Sequence, residues 1–91
     1  MYSIAYTGGF KKDFKRCIKR NYNLSLLESL VEILEQEGSV PAKYKPHKLS
    51  GHYSDCWECH VLPDWLLLWL QNDETKEITV VRTGTHSDLF G

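Results

Sequence analysis

The chain has no long apolar run. Its most hydrophobic stretch, Trp65-Leu66-Leu67-Leu68-Trp69-Leu70, falls far short of the ~20 residues that a membrane-crossing helix needs. No apolar segment follows a basic start at the N-terminus, so the signal-peptide pattern is missing and a cytoplasmic location is expected, with no membrane partner. Methionine occurs once, at Met1. Cysteine occurs three times, an odd number that suits a reducing compartment better than a disulfide framework. There are no internal repeats and no low-complexity segments. With 42% hydrophobic and 25% charged residues, 91 residues describe one domain spanning 1–91, too small for a second core.

The chain also lacks a dominant charge, with a net −1, but the balance is uneven along its length. Residues 1–22 set Lys11, Lys12, Lys15, Arg16, Lys19 and Arg20 against a single acid, Asp13, and residues 40–50 add Lys43, Lys45 and Lys48. The acids are concentrated in residues 23–39 and 51–91. Such segregation permits a basic face that could hold a polyanion, or simply a solvated helix surface.

Residues 2–6 alternate weakly and are read as a first strand, broken at Thr7-Gly8-Gly9, with Thr7 as a helix N-cap. Phe10, Phe14, Cys17 and Ile18 then repeat at i, i+4, i+7, i+8, one face of a helix. Asn21-Tyr22-Asn23 is a turn, and Ser25-Leu26-Leu27-Glu28 has the capping-box pattern. Leu26, Leu27, Leu30, Val31 and Leu34 carry a second helix, which Gly38 ends. The short link makes the two helices an antiparallel hairpin. Pro41 and Pro46 bound a loop. Residues 49–53 suggest a short edge strand, residues 56–61 and 65–70 two strands joined by a turn at Pro63-Asp64, and residues 77–82 a further strand. The tail reads as one irregular helical turn. The expected architecture is α+β, a two-helix hairpin packed on one face of a small antiparallel β-sheet, the other face partly uncovered.

Cys56-Trp57-Glu58-Cys59-His60 matches the C-x-x-C-H pattern of haem attachment, and its first four residues match a thioredoxin-like pair. A haem would want a second axial ligand, and Met1 is the only methionine. Thioredoxin chemistry wants the pair at a helix N-terminus, whereas Cys59 leads into a strand. On a strand, Cys56, Glu58 and His60 share one face and Trp57, Cys59 and Val61 the other, so the thiols diverge. That also argues against a zinc site completed by His47 or His52. The cysteines are read as structural.

Four histidines fall within forty residues: His47, His52, His60 and His86. His60 and Asp64 flank the first hairpin turn, while Arg82 ends the next strand and His86 follows it. These groups suit cleavage of an RNA phosphodiester, in which a base takes the 2′-hydroxyl proton, an acid protonates the leaving 5′-oxygen and a cation holds the phosphate. Trp65 could stack on a base or lie in the core; Phe90 could do the same or plug the C-terminus. Arg82 could serve the phosphate or form a structural pair with Asp64.

Phe10-Lys11-Lys12-Asp13, Tyr44-Lys45-Pro46-His47-Lys48-Leu49-Ser50-Gly51, Glu58-Cys59-His60 with Pro63-Asp64-Trp65-Leu66-Leu67, and Arg82-Thr83-Gly84-Thr85-His86-Ser87-Asp88-Leu89-Phe90 together resemble bacterial RelE-superfamily toxins of the YafQ type, the toxins of type II toxin–antitoxin pairs. The similarity runs over nearly the whole chain. It implies a RelE-like, microbial-RNase-like fold and an mRNA interferase that cuts mRNA in the ribosomal decoding site without a metal or other cofactor. It further implies a cognate antitoxin and indirect contact with operator DNA through the toxin–antitoxin complex. Carried over by position, the resemblance implies active-site residues His47, His60, Asp64, Arg82 and His86. Trp65 and Phe90 would shape the pocket, and Lys45 and Lys48 would bind substrate. His86 is the expected general acid, Asp64 or His60 the base, Arg82 the phosphate ligand, and His47 a substrate-orienting group. Trp57 stands where relatives often carry arginine, Trp69 replaces a common tyrosine, and the low net charge departs from strongly basic relatives. Weaker ribosome binding is expected from these departures, or a catalytically weak module that still binds antitoxin or RNA.

Overall fold

The computed structural model describes residues 1–91. Thr7 separates strand β1 (Ser3–Tyr6) from helix α1 (Gly8–Lys19) and serves both. Its hydroxyl accepts from the Phe10 amide at 3.0 Å, capping the helix, and donates to the Val81 carbonyl at 2.6 Å, tying the helix start to a distant strand. Helix α2 (Leu24–Glu37) follows. Its cap is Asn23 rather than the expected Ser25, because the helix already starts at Leu24; the Asn23 side chain accepts from the Ser25 amide at 3.2 Å and from its hydroxyl at 2.6 Å. Gly38 closes α2 with φ +69°, and a Cβ there would lie 2.4 Å from the Tyr2 ring, so both backbone and packing require glycine.

The remaining elements are β2 (His47–Lys48), β3 (Trp57–Leu62), β4 (Trp65–Asn72), β5 (Glu77–Gly84) and the short helix α3 (His86–Phe90). The edge strand expected at residues 49–53 instead forms at His47–Lys48, because Gly51, at φ +76°, opens a 3-10 turn over Gly51–Tyr53 and takes that segment out of the ladder. The sheet order is β1-β5-β4-β3-β2. From β2 to β5 it is the expected antiparallel arrangement, but β1 pairs in parallel with β5, Ser3 opposite Glu77 and Tyr6 opposite Val80. A parallel pair needs a long crossover, which the helices and the strands after them supply.

Strand β4 explains the apolar run. Trp65, Leu67 and Trp69 enter the main core with Phe10, Cys17, Leu27, Leu30 and Leu34 from α1 and α2. Leu66 and Leu68 point the opposite way, where Leu49, Tyr53, Val81 and Leu89 cover them. The second sheet face is thus closed by the 49–53 segment and α3, and β4 is buried on both sides. Bulges break the period on either side of β4, between His60 and Leu62 in β3 and at Val81 in β5. The second puts Val81 and Arg82 on the same side of the sheet and re-aims the end of β5.

Candidate active site

The site forms where the β3–β4 turn, the end of β5 and α3 meet. Thr85 caps α3 through a reciprocal capping box with Asp88, the Thr85 hydroxyl accepting from the Asp88 amide at 3.0 Å and the Asp88 carboxylate from the Thr85 amide at 2.9 Å. This places His86 at the first helical position. Its backbone amide and its Nδ1–H both donate to Asp64 Oδ1, at 2.9 and 2.6 Å. These bonds, the backbone one first, hold the Asp64 carboxyl below its ordinary range.

The His60 ring lies 5.8 Å from that of His86 and 6.5 Å from that of His47. His60 Nδ1 donates to the Pro63 carbonyl at 3.2 Å, across its own hairpin turn, and His47 Nδ1 to the Lys45 carbonyl at 3.0 Å. Each of the three histidines therefore uses Nδ1 locally and keeps Nε2 for other partners. Glu58, which pairs with His47 in the β2–β3 ladder, is buried and sets its Oε1 3.1 Å from His47 Nε2 and 3.9 Å from His60 Nε2.

Arg82 does not pair with Asp64. Its partner is Asp13 of α1, only 2% exposed, which accepts from Arg82 Nε at 2.5 Å and Nη2 at 3.1 Å, and from the Thr83 amide at 3.1 Å. Strand β1 ends opposite Val80, so on that edge the last part of β5 has no strand beside it, and the start of α1 takes that place while β4 pairs the other edge. Gly9 lies so close that a Cβ there would be 3.1 Å from Arg82 Cδ. The Arg82 Nη1 group donates to the Tyr53 hydroxyl at 3.0 Å, and the Tyr53 ring meets Phe90 edge-on at 5.7 Å. Asp13, first among the causes, raises the Arg82 pKa still further above its usual value, so the guanidinium is a permanent cation.

Of the expected residues, His47, His60, Asp64 and His86 lie side by side, Asp64 bonded to His86 and Glu58 between His47 and His60, and Arg82 and Phe90 are joined through Tyr53. Trp65 is 2% exposed, its indole donating to Thr83 Oγ1 at 2.9 Å and its ring 4.7 Å from that of Tyr22, so of its two readings the core placement is observed. Phe90 keeps 49% of its surface exposed. Lys45 is exposed beside His47. Lys48 lies on the other side of β2, paired with Trp57 and with its ammonium 5.9 Å from that ring, so it does not join the histidines. Trp57 itself stacks on its cross-strand partner Trp69 at 6.2 Å.

Asp13 and Glu58 stand within the family-like motifs without an expected site role, and Tyr53 stands in none of them. Asp13 carries a signal in retrospect: it interrupts the apolar stripe of α1 between Phe10 and Phe14, where an acid must be buried and therefore paired. Glu58 alternates with His60 on one strand face. Tyr53 has no such signal, because its turn had been assigned to a strand. Cys59 is fully buried in the main core, where desolvation, with Glu58 adding to it, pushes its thiol up to about 12, and burial raises Cys56 as well. Both are poor nucleophiles, and Cys59 faces away from His60 as strand alternation requires.

A mostly antiparallel sheet under two helices, carrying histidines, a carboxylate and a clamped arginine near one end of its strands, is the arrangement of a RelE-like fold. Residues 2–91 match the family model described as the bacterial toxin of type II toxin-antitoxin systems, YafQ. The chain is 38% identical over 89 residues to the mRNA interferase toxin YafQ of Escherichia coli (strain K12), covering 97% of this chain and 95% of that one. A crystal structure of the E. coli DinJ-YafQ complex superposes with a TM-score of 0.89 at 37% identity, over 100% of both chains. A metal-bound toxin from Helicobacter pylori does so with a TM-score of 0.88 at 38% identity, over 99% of this chain and 100% of that one. The chain belongs to the YafQ toxin family, whose curated relatives are endoribonucleases by name.

Proposed function

We propose that residues 1–91 act as one toxin domain that cuts mRNA in the ribosomal decoding site by metal-independent acid–base chemistry. The observation that carries this reading is the Asp64–His86 pair at 2.6 Å with His60 beside it. The carboxylate fixes the His86 tautomer, so a protonated His86 presents Nε2–H to the leaving 5′-oxygen as general acid. Asp64, held below its ordinary range and already accepting two hydrogen bonds, is a weak base, which leaves His60 to take the 2′-hydroxyl proton. The 2′-oxygen then attacks phosphorus, the P–O5′ bond breaks, and a 2′,3′-cyclic phosphate and a 5′-hydroxyl end result. Arg82 stabilises the charge that builds on the phosphate, and His47 orients the substrate. Phe90 offers an exposed ring to a base, and Lys45 a cation to the RNA backbone.

The DinJ-YafQ complex supports a cognate antitoxin as partner. In this reading the protein works in the cytoplasm and meets operator DNA only through its toxin–antitoxin complex. A groove of about 700 Å3 between β1, α1 and α2 is floored by Ile4, Phe10, Phe14, Leu27 and Val31 and rimmed by Glu28, Glu32 and Glu35. It suits an amphipathic helix carrying basic residues. Mapping mRNA cleavage with and without ribosomes tests the activity, and repeating it with toxin stripped of metal by chelator and dialysed before ribosomes are added tests metal independence, a needed control given the metal-bound relative. Trp57 in place of arginine and the net charge of −1 favour a second reading, a weak or inactive module that still binds antitoxin or RNA. Harmless expression together with tight antitoxin binding would establish that alternative.

A further inference from the structure

One face of α1 reaches both halves of the catalytic group. Asp13, Arg16 and Arg20 recur at i, i+3 and i+7, one side of a helix, and this side is turned toward the end of β5 and toward α3. Asp13 takes the Nε and Nη2 groups of Arg82 and also the Thr83 amide. Arg16 Nη1 stands 3.6 Å from both Asp13 Oδ1 and Asp88 Oδ1, linking the two acids. Arg20 forks onto Asp88, Nη1 to Oδ2 at 2.6 Å and Nη2 to Oδ1 at 3.0 Å. Asp88 in turn closes the capping box that starts α3, and His86 lies inside that box.

Two physical arguments make this more than packing. A guanidinium has five N–H donors, and three of those of Arg82 already have protein acceptors in Asp13 and Tyr53. The acceptors hold the plane of the group, leaving one N–H on each terminal nitrogen for a phosphate. Secondly, a helix as short as the five residues of α3 is not stable on its own, so the direction of His86 depends on what anchors the first turn. Asp64 anchors it at His86 itself, and Arg20, through Asp88, anchors the capping box from the α1 side.

We propose that Asp13 and Arg20 are positioning residues of the ribonuclease site: Asp13 orients the Arg82 guanidinium toward the scissile phosphate, and Arg20, through Asp88, holds the first turn of α3 and so places His86. The inference rests on the function assigned above, and its test includes a readout that needs no RNA. Arg20→Gln removes the fork at an exposed position, and Asp13→Asn removes the carboxylate charge at nearly constant shape. In the intact chain, the Arg82 Nε–H resonance exchanges slowly with water in the wild type and rapidly in Asp13→Asn, and the His86 amide loses protection in Arg20→Gln. In ribosome-supported cleavage, kcat falls about tenfold for Arg20→Gln and ten- to a hundredfold for Asp13→Asn, with KM within about twofold. Should Asp13→Asn not fold, Asp13→Glu, which keeps the charge but displaces the carboxylate, takes its place with the same readouts. Wild-type exchange at both groups overturns the inference, as does altered exchange with unchanged kcat in folded variants. If the wild-type protein cuts no RNA, the functional assignment fails and the exchange data alone decide the positioning.

Discussion

Asp13 and Arg82, 69 residues apart in the chain, form a side-on pair in which a buried carboxylate clamps the Nε edge of a half-buried guanidinium. The pair joins the first helix to the last strand. It also makes the phosphate-binding arginine part of the packed structure, so removing it has two consequences of different kinds.

His86→Ala and Arg82→Ala are both expected to relieve the translation arrest caused by expression, but they differ in stability. His86 is exposed, and its loss leaves the fold unchanged. Arg82→Ala removes the main partner of the buried Asp13 carboxylate, leaving it the Thr83 amide and the more distant Arg16, at a cost of about 3 kcal/mol, on the order of 10–20 °C in Tm. Adding Asp13→Asn to Arg82→Ala recovers part of that loss without restoring cleavage. Thermal melts and arrest assays of the three variants check this; equal Tm for Arg82→Ala and wild type would show that the pair carries no stability.

Acid sensitivity should track Asp88. The Arg20 fork, first among its causes, holds the Asp88 carboxyl well below its ordinary 3.8. A depressed folded-state pKa means that the unfolded chain binds the proton first as pH falls. The stabilisation is therefore complete above the ordinary carboxylate range and is lost as pH drops through the folded value below 3.8. Asp88→Asn accordingly loses less stability than wild type between pH 5 and pH 2.5, by about one proton's worth of slope, in denaturant titrations at fixed pH. Parallel slopes would place the acid limb elsewhere.

Cysteine labelling separates the structural reading of the C-x-x-C-H run from a redox or haem one. With Cys59 fully buried and its thiol pushed up to about 12, and with Cys17 and Cys56 buried too, native protein at pH 8 should resist iodoacetamide for hours. Unfolded protein takes up three labels by mass spectrometry. Rapid native labelling at Cys59 would contradict the burial.

Trp57→Arg should exchange stability for RNA affinity. The stack on Trp69 is lost, about 1 kcal/mol, while a cation is added on β3. Ribosome binding is expected to tighten and to fall more steeply with salt, by roughly one unit in log K against log salt. Sedimentation with ribosomes at several salt concentrations measures both; an unchanged slope means that position 57 does not face RNA.

Periodicity recovered most of the elements because it reports burial directly. The stripe Phe10, Phe14, Cys17, Ile18 and the run 65–70 each identify their element, and all but their last members, Ile18 and Leu70, which are exposed, pack into the two apolar clusters. The boundary errors have local causes: Asn23 outcompetes Ser25 as a cap one residue before the helix begins, and a left-handed Gly51 turns an anticipated strand into a 3-10 turn. At the site, the resemblance pointed to His47, His60, Asp64, Arg82 and His86, and the structure sets four of them side by side, Asp64 and His86 directly hydrogen-bonded and His47 and His60 flanking Glu58.

The histidines and Arg82 were legible from the chain alone, as was strand β4, because catalytic residue types and hydrophobic period are properties of the residues themselves. Which acid serves which base was not. Asp64 stands closer in sequence to Arg82 than Asp13 does, yet beyond the end of β1 Arg82 meets Asp13 of α1, and Asp64 is left to His86. Hydrogen bonds act over about 3 Å, a distance on which separation along a chain has no bearing, and only the folded sheet brings those atoms within it.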